Sequence, residues 1–169
     1  MATVTATGPI GKRCQMLETM IAASTTFQSW VGVSGDDVPA TSALAHIHMP
    51  WSTATTAHAV ITPISGHGLV NVGRGTACTV AQMAGPVVVL FWAPIATAYA
   101  SSDEDGLLDF LNKAEGTMKE AAAYSGKDGY ATISYMDQYL QTYADDDEAG
   151  IGKSFEIAYA VDLGEIRTL

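Results

Sequence analysis

Charged residues are scarce in this sequence, and basic ones are the scarcest. Asp, Glu, Lys and Arg make up 15% of the 169 residues, against about 25% in typical soluble domains. Eight basic residues stand against eighteen acidic ones, which gives a formal net charge of −10. Because gripping a phosphate backbone requires clustered Lys and Arg, this balance argues against a nucleic-acid-binding protein. So few charges instead favour burial of extra surface in an oligomer, the alternative being a surface covered by the abundant Ser and Thr.

Cysteine and long apolar runs are lacking too. Cys14 and Cys78 are too few for a disulfide framework, and neither has a CxxC partner. Both fall in apolar patterns and are predicted to be small buried side chains. The protein is expected to be synthesised in a reducing, cytoplasmic setting. The longest apolar run, from Val87 to Ile95, is too short to span a membrane and is broken by Pro94.

Apolar material for one core is ample. Hydrophobic residues make up 48% of the chain, and its length is close to the commonest size of one domain. We therefore expect a single domain over residues 12–169. Residues 1–11 carry no charge and lack the pattern of a signal peptide, which predicts a flexible N-terminal arm. Trp51 and Trp92 are expected in a core or interface rather than in a binding cage.

Two segments have the periodicity of amphipathic helices. The first runs from Lys12 to Val31, with Gly32 as its stop. The second begins near Ser101 or Ser102 and continues through Tyr124. Their predicted apolar faces comprise Leu17, Met20, Ile21, Ser24, Phe27 and Val31 in the first helix, and Leu107, Leu108, Leu111, Met118, Ala121 and Ala122 in the second.

Strand patterns fill much of the remainder. Strands are predicted at residues 57–61, 77–83, 87–92, 130–140 and 155–163, and residues 41–48 fit either a helical turn or a strand. The strands at 77–83 and 87–92 are close enough to form a hairpin, and the second of them is typical of a strand buried on both faces. The order of helix, strands, helix, strands predicts an α+β fold, with a mainly antiparallel sheet packed by two main helices.

Histidines are the first candidates for a metal site. His46 and His48 would share one face of a strand, and His58 or His67 would complete the ligand set. No Asp or Glu accompanies them, so histidines at strand edges and turns explain the pattern better. We therefore assign no metal ligand. A small metal-dependent hydrolase that uses His46, His48 and His58 is kept as an alternative function from a different class.

The remaining motifs predict no catalytic residue and no cofactor. Asp145 to Glu148 form a contiguous acidic run, whereas calcium loops alternate their ligands, so a solvated loop extending to Gly150 is expected. The glycine-rich segments at residues 66–68 and 73–75 have neither the phosphate-loop nor the dinucleotide-binding form and are predicted to be turns. No GxSxG nucleophile motif is present.

Three stretches carry a resemblance to a known family. The first is the helix end ASTTFQSWVGV, in which Ser24, Phe27, Gln28, Trp30 and Gly32 fit the pattern S-x-x-F-Q-x-W-x-G. The second is the helix DEDGLLDFLNKAEGTMKEA, whose matching positions are Asp105, Phe110, Asn112, Gly116 and Met118. The third is the closing strand KSFEIAYAVDLG. Together they resemble bacteriophage tail proteins of the tail terminator, or tail completion, family.

This resemblance implies a structural virion protein and not an enzyme. It implies a homo-oligomer, a hexameric ring that caps the tail tube protein and joins the tail to the head–tail connector protein. DNA would pass through the ring without specific binding, which suits an acidic chain. The protein would be assembled in the host cytoplasm, would reside in the virion tail or neck, and would have no membrane partner. Another tail or neck component, such as a tube subunit or a head–tail joining protein, is the nearest alternative.

Overall fold

One seven-stranded sheet and four helices make up the fold in the computed structural model of the chain, which describes residues 9–63, 69–70, 80–83, 86–94, 103–124, 132–146 and 152–168. The helices are α1 (Pro9–Ala22), α2 (Thr25–Trp30), α3 (Pro39–Ala43) and α4 (Asp103–Ala123), and Leu44–His46 form a turn of 3-10 helix. The strands are β1 (Ile47–His48), β2 (His58–Pro63), β3 (Leu69–Val70), β4 (Val80–Met83), β5 (Pro86–Pro94), β6 (Thr132–Asp146) and β7 (Gly152–Thr168). The predicted α+β class is confirmed.

Strand β7 organises the sheet. On one side it pairs with β6, and on the other side it pairs first with β5 and then with β4. Strand β2 pairs with the outer side of β5, β1 with β2, and β3 with β4. Among the described pairs only β1 and β2 run parallel, so the sheet is mainly antiparallel, as predicted.

The predicted hairpin between the strands now labelled β4 and β5 is wrong. Both strands lie along the same side of β7, because Pro86 is opposite Asp162 and Met83 is opposite Glu165. The 17 residues of β7 are enough for two short strands in line. A break between two strand patterns does not tell whether the chain reverses there or continues along the same partner.

The first predicted helix is in fact two helices. The segment between them ends at Ser24, whose extended backbone places its Oγ to accept a hydrogen bond from the N–H of Phe27 at 3.1 Å. This is the N-cap arrangement, which satisfies an otherwise unpaired donor at the start of α2. Gly32, with φ 80°, follows the end of α2, and the N–H of Val33 donates to the carbonyl of Gln28 at 2.9 Å. The predicted stop at Gly32 is confirmed.

The N-terminal end of α1 differs from the expectation. Pro9 lies in the first turn, where a residue without an N–H leaves no helical hydrogen bond unmade. The predicted arm at residues 1–11 therefore overlaps the helix at 9–11, and residues 1–8 lie outside the described residues.

The helices cover one side of the sheet, which we call the helical face. It is formed by alternate residues of β2, β5 and β7: Ala59, Ile61, Val87, Val89, Phe91, Ala93, Phe155, Ile157, Tyr159 and Val161. All of them are buried, together with Leu17, Met20 and Ile21 of α1. The predicted alternation of the last strand is confirmed from Phe155 to Val161. Leu163, predicted to continue it, lies outside the described side chains.

Helix α4 buries most of the predicted stripe. Met118 and Ala121 are buried, and Leu107 and Leu111 are partly buried against the core. Leu108 is exposed, contrary to the prediction, and Phe110 and Ala114 lie on the buried side without having been predicted there. The leucines near the start of α4 fall on more than one side of the helix, and the side that packs on the sheet is the one that carries Phe110. Among the described helices, none combines the length and the apolar character needed to cross a membrane.

Candidate functional site

An aromatic cluster joins α2 and α4 to the helical face. The ring of Trp30 lies 5.8 Å from that of Phe91 and 5.5 Å from that of Phe110, centroid to centroid. The ring of Phe27 lies 6.3 Å from that of Phe91, and the ring of Phe110 lies 5.5 Å from that of Phe155. These spacings are those of favourable aromatic pairs. The cluster therefore connects a short helix, a long helix and two central strands.

A single carboxylate fastens α2 to α4. Glu120 accepts hydrogen bonds from the Oγ of Ser24 at 2.8 Å, from the hydroxyl of Thr25 at 3.2 Å, and from the hydroxyl and N–H of Thr26 at 2.6 and 3.1 Å. Partial burial acts to raise the pKa of Glu120, but the bonds from Thr26, Ser24 and Thr25 outweigh it and lower the pKa to about 2. A Cβ on Gly116 would lie 3.1 Å from the methyl of Thr26, so the two helices also approach closely there.

Sequence reasoning missed the role of Glu120. The signal was present in three consecutive hydroxyl residues at the start of α2, since hydroxyls and free N–H groups at a helix N-terminus require an acceptor. The residue that supplies it lies almost a hundred positions away, and only the fold identifies it. We interpret this group as structural, because its hydrogen bonds to the described residues all join α4 to the start of α2.

The histidines do not form the predicted pair on a strand face. His46 ends a 3-10 turn, and His48 is the second residue of the two-residue strand β1. The ring of His48 instead meets that of His58 edge to face, at 5.5 Å. His67 lies outside the described residues. Within the described residues, no three His, Cys, Asp or Glu side chains are placed to hold a metal ion.

Burial favours the neutral form of two of these imidazoles. It lowers the pKa of His48 and of His58, and the neighbouring histidines lower both further. The Nδ1 of His58 donates to the carbonyl of Thr56 at 2.7 Å, an interaction that partly offsets the effect of burial. A neutral His58 with its proton on Nδ1 retains Nε2 as an acceptor.

Two further predicted features have partial outcomes. Asp145 and Asp146 belong to β6, so the acidic run begins on a strand and not in the predicted loop; residues 147–150 lie outside the described residues. Cys14 is buried, as predicted, and burial raises the pKa of its thiol. Cys78 is among the residues left undescribed.

A groove of about 550 Å³ lies on the other side of β2, β5 and β7, which we call the groove face. Its floor is apolar and consists mainly of Val60, Val88, Leu90 and Trp92. One wall is the segment 50–54, which is fastened by a hydrogen bond from the hydroxyl of Thr62 to the carbonyl of Pro50 at 2.9 Å. The expectation that β5 is buried on both sides is thus wrong on this side, where Val88, Leu90 and Trp92 are only partly buried.

One end of the groove combines aromatic rings with a carboxylate. Trp92 lies between His58 on β2 and Glu156 on β7, which are its direct partners in the two neighbouring strands. The Trp92 ring lies 5.1 Å from the His58 ring, and Trp51, on the wall, is 70% exposed. Burial raises the pKa of Glu156. The groove has the size and lining of a binding site rather than of a packing defect.

The chain matches no protein-family model, and no curated protein is significantly similar to it.

Proposed function

We propose that this chain is a structural virion protein of a tailed bacteriophage, a tail terminator. Copies of it form a hexameric ring that caps the tail tube and joins the tail to the head–tail connector protein. In this role the protein works through its surfaces and not as an enzyme. DNA passes through the ring without specific binding.

One observation carries the proposal: the three stretches that resemble the tail terminator family come together in space. Trp30 from the first stretch packs against Phe110 of the second, and Phe110 packs against Phe155 of the third. Gly116, another matching position, lies against Thr26. Residues that define one fold are expected to meet in its core, as these residues do.

The surface and charge of the chain also support an assembly role. A net charge of −10 suits a channel that must let DNA pass without retaining it. The groove and the exposed Trp51 leave apolar area available for contacts with other molecules. In a ring, such contacts join one face of a subunit to a different face of the next.

The alternatives are less well supported. A tube subunit or a head–tail joining protein would share the assembly surfaces, so these remain close alternatives in the same class. A metal-dependent hydrolase needs converging ligands. Among the described residues, His46, His48 and His58 do not converge into a three-ligand set.

Electron microscopy of the purified chain tests the proposal. In negative stain the account predicts closed rings of uniform diameter with a central channel. Long tubes would favour the tube-subunit alternative. Single small particles at every concentration tried would overturn the assembly role.

A further inference from the structure

We propose that the groove binds a basic side chain, Arg or Lys, carried by an extended segment of a partner protein. The basic group lies against Trp92 and pairs with Glu156, and the apolar residues that flank it in the segment cover Val88 and Leu90. The inference rests on the proposed function only for the kind of occupant, a protein; the chemistry of the groove stands on its own residues.

The placement of Glu156 beside Trp92 supports a cationic group. Across the sheet the two residues are direct partners, so their side chains emerge side by side on the groove face. A cation is attracted both to the face of an indole ring and to a carboxylate, and the two attractions act together in a partly desolvated site. On the other side of Trp92, burial lowers the pKa of His58 and so disfavours a positive charge that would oppose the cation.

No positive charge of the chain itself occupies this position in the described structure. The described residues that line the groove include no Lys or Arg. Glu156 makes no ion pair or hydrogen bond with any described side chain. A carboxylate that is partly buried without a cation is unfavourable, and burial accordingly raises the pKa of Glu156. A basic group bound beside Glu156 would offset the cost of partly burying this carboxylate.

The remainder of the groove favours a polypeptide over a small amine. Its volume of about 550 Å³ exceeds what one basic side chain fills, and the apolar floor offers contacts that a small cation leaves unused. Trp51 on the wall is 70% exposed, and Met49, two residues earlier in the chain, is 40% exposed. Exposed Trp and Met are enriched where proteins bind other proteins. The negative charge of Glu156 disfavours nucleic acid.

A pair of matched peptides tests the inference on the full chain. The first is acetyl-Leu-Arg-Leu-amide, and the second carries citrulline in place of arginine, which keeps the shape and removes the charge. In mildly alkaline buffer, which favours the ionised form of Glu156, titration followed by tryptophan fluorescence should give saturable binding of the arginine peptide. The citrulline peptide should bind about tenfold more weakly or worse.

Two variants locate the effect. Glu156→Gln, which preserves the size of the side chain, should weaken binding of the arginine peptide by about tenfold and leave binding of the citrulline peptide unchanged. The control Glu115→Gln removes an exposed carboxylate from α4, on the helical side of the sheet, and should leave both peptides unchanged. Thermal unfolding of each variant checks that the fold is intact. Equal binding of the two peptides, absence of saturable binding, or an equal loss in the Glu115→Gln control would each overturn the inference.

Two more measurements exclude other occupants. If acetyl-arginine-methylamide binds as tightly as the peptide, the groove is a site for small cations and the docking proposal fails. If the peptide dissociates an assembled ring into subunits, a second copy of the chain occupies the groove and the proposal fails as well. Binding to a chain that stays monomeric would leave this inference standing while contradicting the ring, so the two proposals fail separately.

Discussion

The helical face and the groove face belong to the same three strands but differ in how they are covered. On β5, Val87, Val89 and Phe91 are buried under helices, whereas their neighbours Val88 and Leu90 form the floor of an open groove. Both sets are apolar, so hydrophobicity alone does not separate them. The difference lies in the covering layer: the chain supplies it on one face, and we propose that a partner supplies it on the other.

A charge placed on each face should have the largest effect. Ile157 is 1% exposed on the helical face, and Ile157→Asp should prevent folding, at a cost above about 4 kcal/mol, because it buries an unpaired charge. Its neighbour Ala158 is partly exposed on the groove face, and Ala158→Asp should cost less than about 2 kcal/mol. Soluble yield and circular dichroism distinguish the two. Normally folded Ile157→Asp protein would show that the strand register is wrong.

Truncation of adjacent residues on β5 sharpens the same comparison. Phe91→Ala removes the ring shared by Phe27, Trp30 and Tyr159, and it should lower the free energy of unfolding by about 3–5 kcal/mol. Leu90→Ala should cost about 1 kcal/mol, because Leu90 is only partly buried. Urea denaturation at matched protein concentration measures both. Equal costs would contradict the asymmetry between the faces.

The carboxylate that joins α2 to α4 should have the next largest effect. Glu120→Ala leaves the donors of Ser24, Thr25 and Thr26 without their acceptor and should cost about 2 kcal/mol at neutral pH. The control Glu115→Ala, at an exposed position on the same helix, should change stability by less than about 0.5 kcal/mol. Indistinguishable unfolding of the two variants would contradict the role given to Glu120.

The same group predicts a pH dependence with a definite sign. The pKa of Glu120 is lowered to about 2 in the folded protein, so the ionised form is favoured by folding. The contribution of Glu120 to the free energy of unfolding is fully present above its pKa in the unfolded chain, near 4.5, and is lost as the pH falls from there towards 2. The stability difference between wild type and Glu120→Ala should therefore shrink over that interval. A constant difference would contradict the assignment.

The smallest effect concerns a hydroxyl on the helical face. The buried OH of Tyr159 has no hydrogen-bond partner among the described residues, and burial, with the charge of Glu115 nearby, raises the pKa of Tyr159 to about 12. Tyr159→Phe should therefore stabilise the protein by about 1 kcal/mol. In the control Tyr124→Phe, a bond to the carbonyl of Ala23 at 3.3 Å is lost, and stability should fall slightly. Destabilisation by Tyr159→Phe would reveal a missing partner.

Periodicity predicted the helical face well and the groove face poorly. The alternation from Phe155 to Val161 and the stripe of Leu17, Met20 and Ile21 are local patterns, and each places its residues on the buried side. The continuous apolar run of β5 does not state whether the second side is covered by the same chain or left open. That depends on which elements pack there, and the wall at residues 50–54 has no periodic pattern.

Long-range partners account for the other differences. The pairing of Ser24 with Glu120 and the placement of β4 and β5 along β7 join positions that are distant in sequence, and no local signal specifies them. The predicted pairing of His46 and His48 is wrong for a related reason. Residues two positions apart share a face only where one strand includes both of them. Here the strand includes only His48.

The subunit count of the assembled protein tests the central claim, that this chain acts through its surfaces as a ring subunit. Native mass spectrometry of the intact, purified chain measures that count directly. The account predicts a closed species of six copies of the 17.7 kDa chain that persists on moderate dilution. A mass of one chain at every concentration would contradict it.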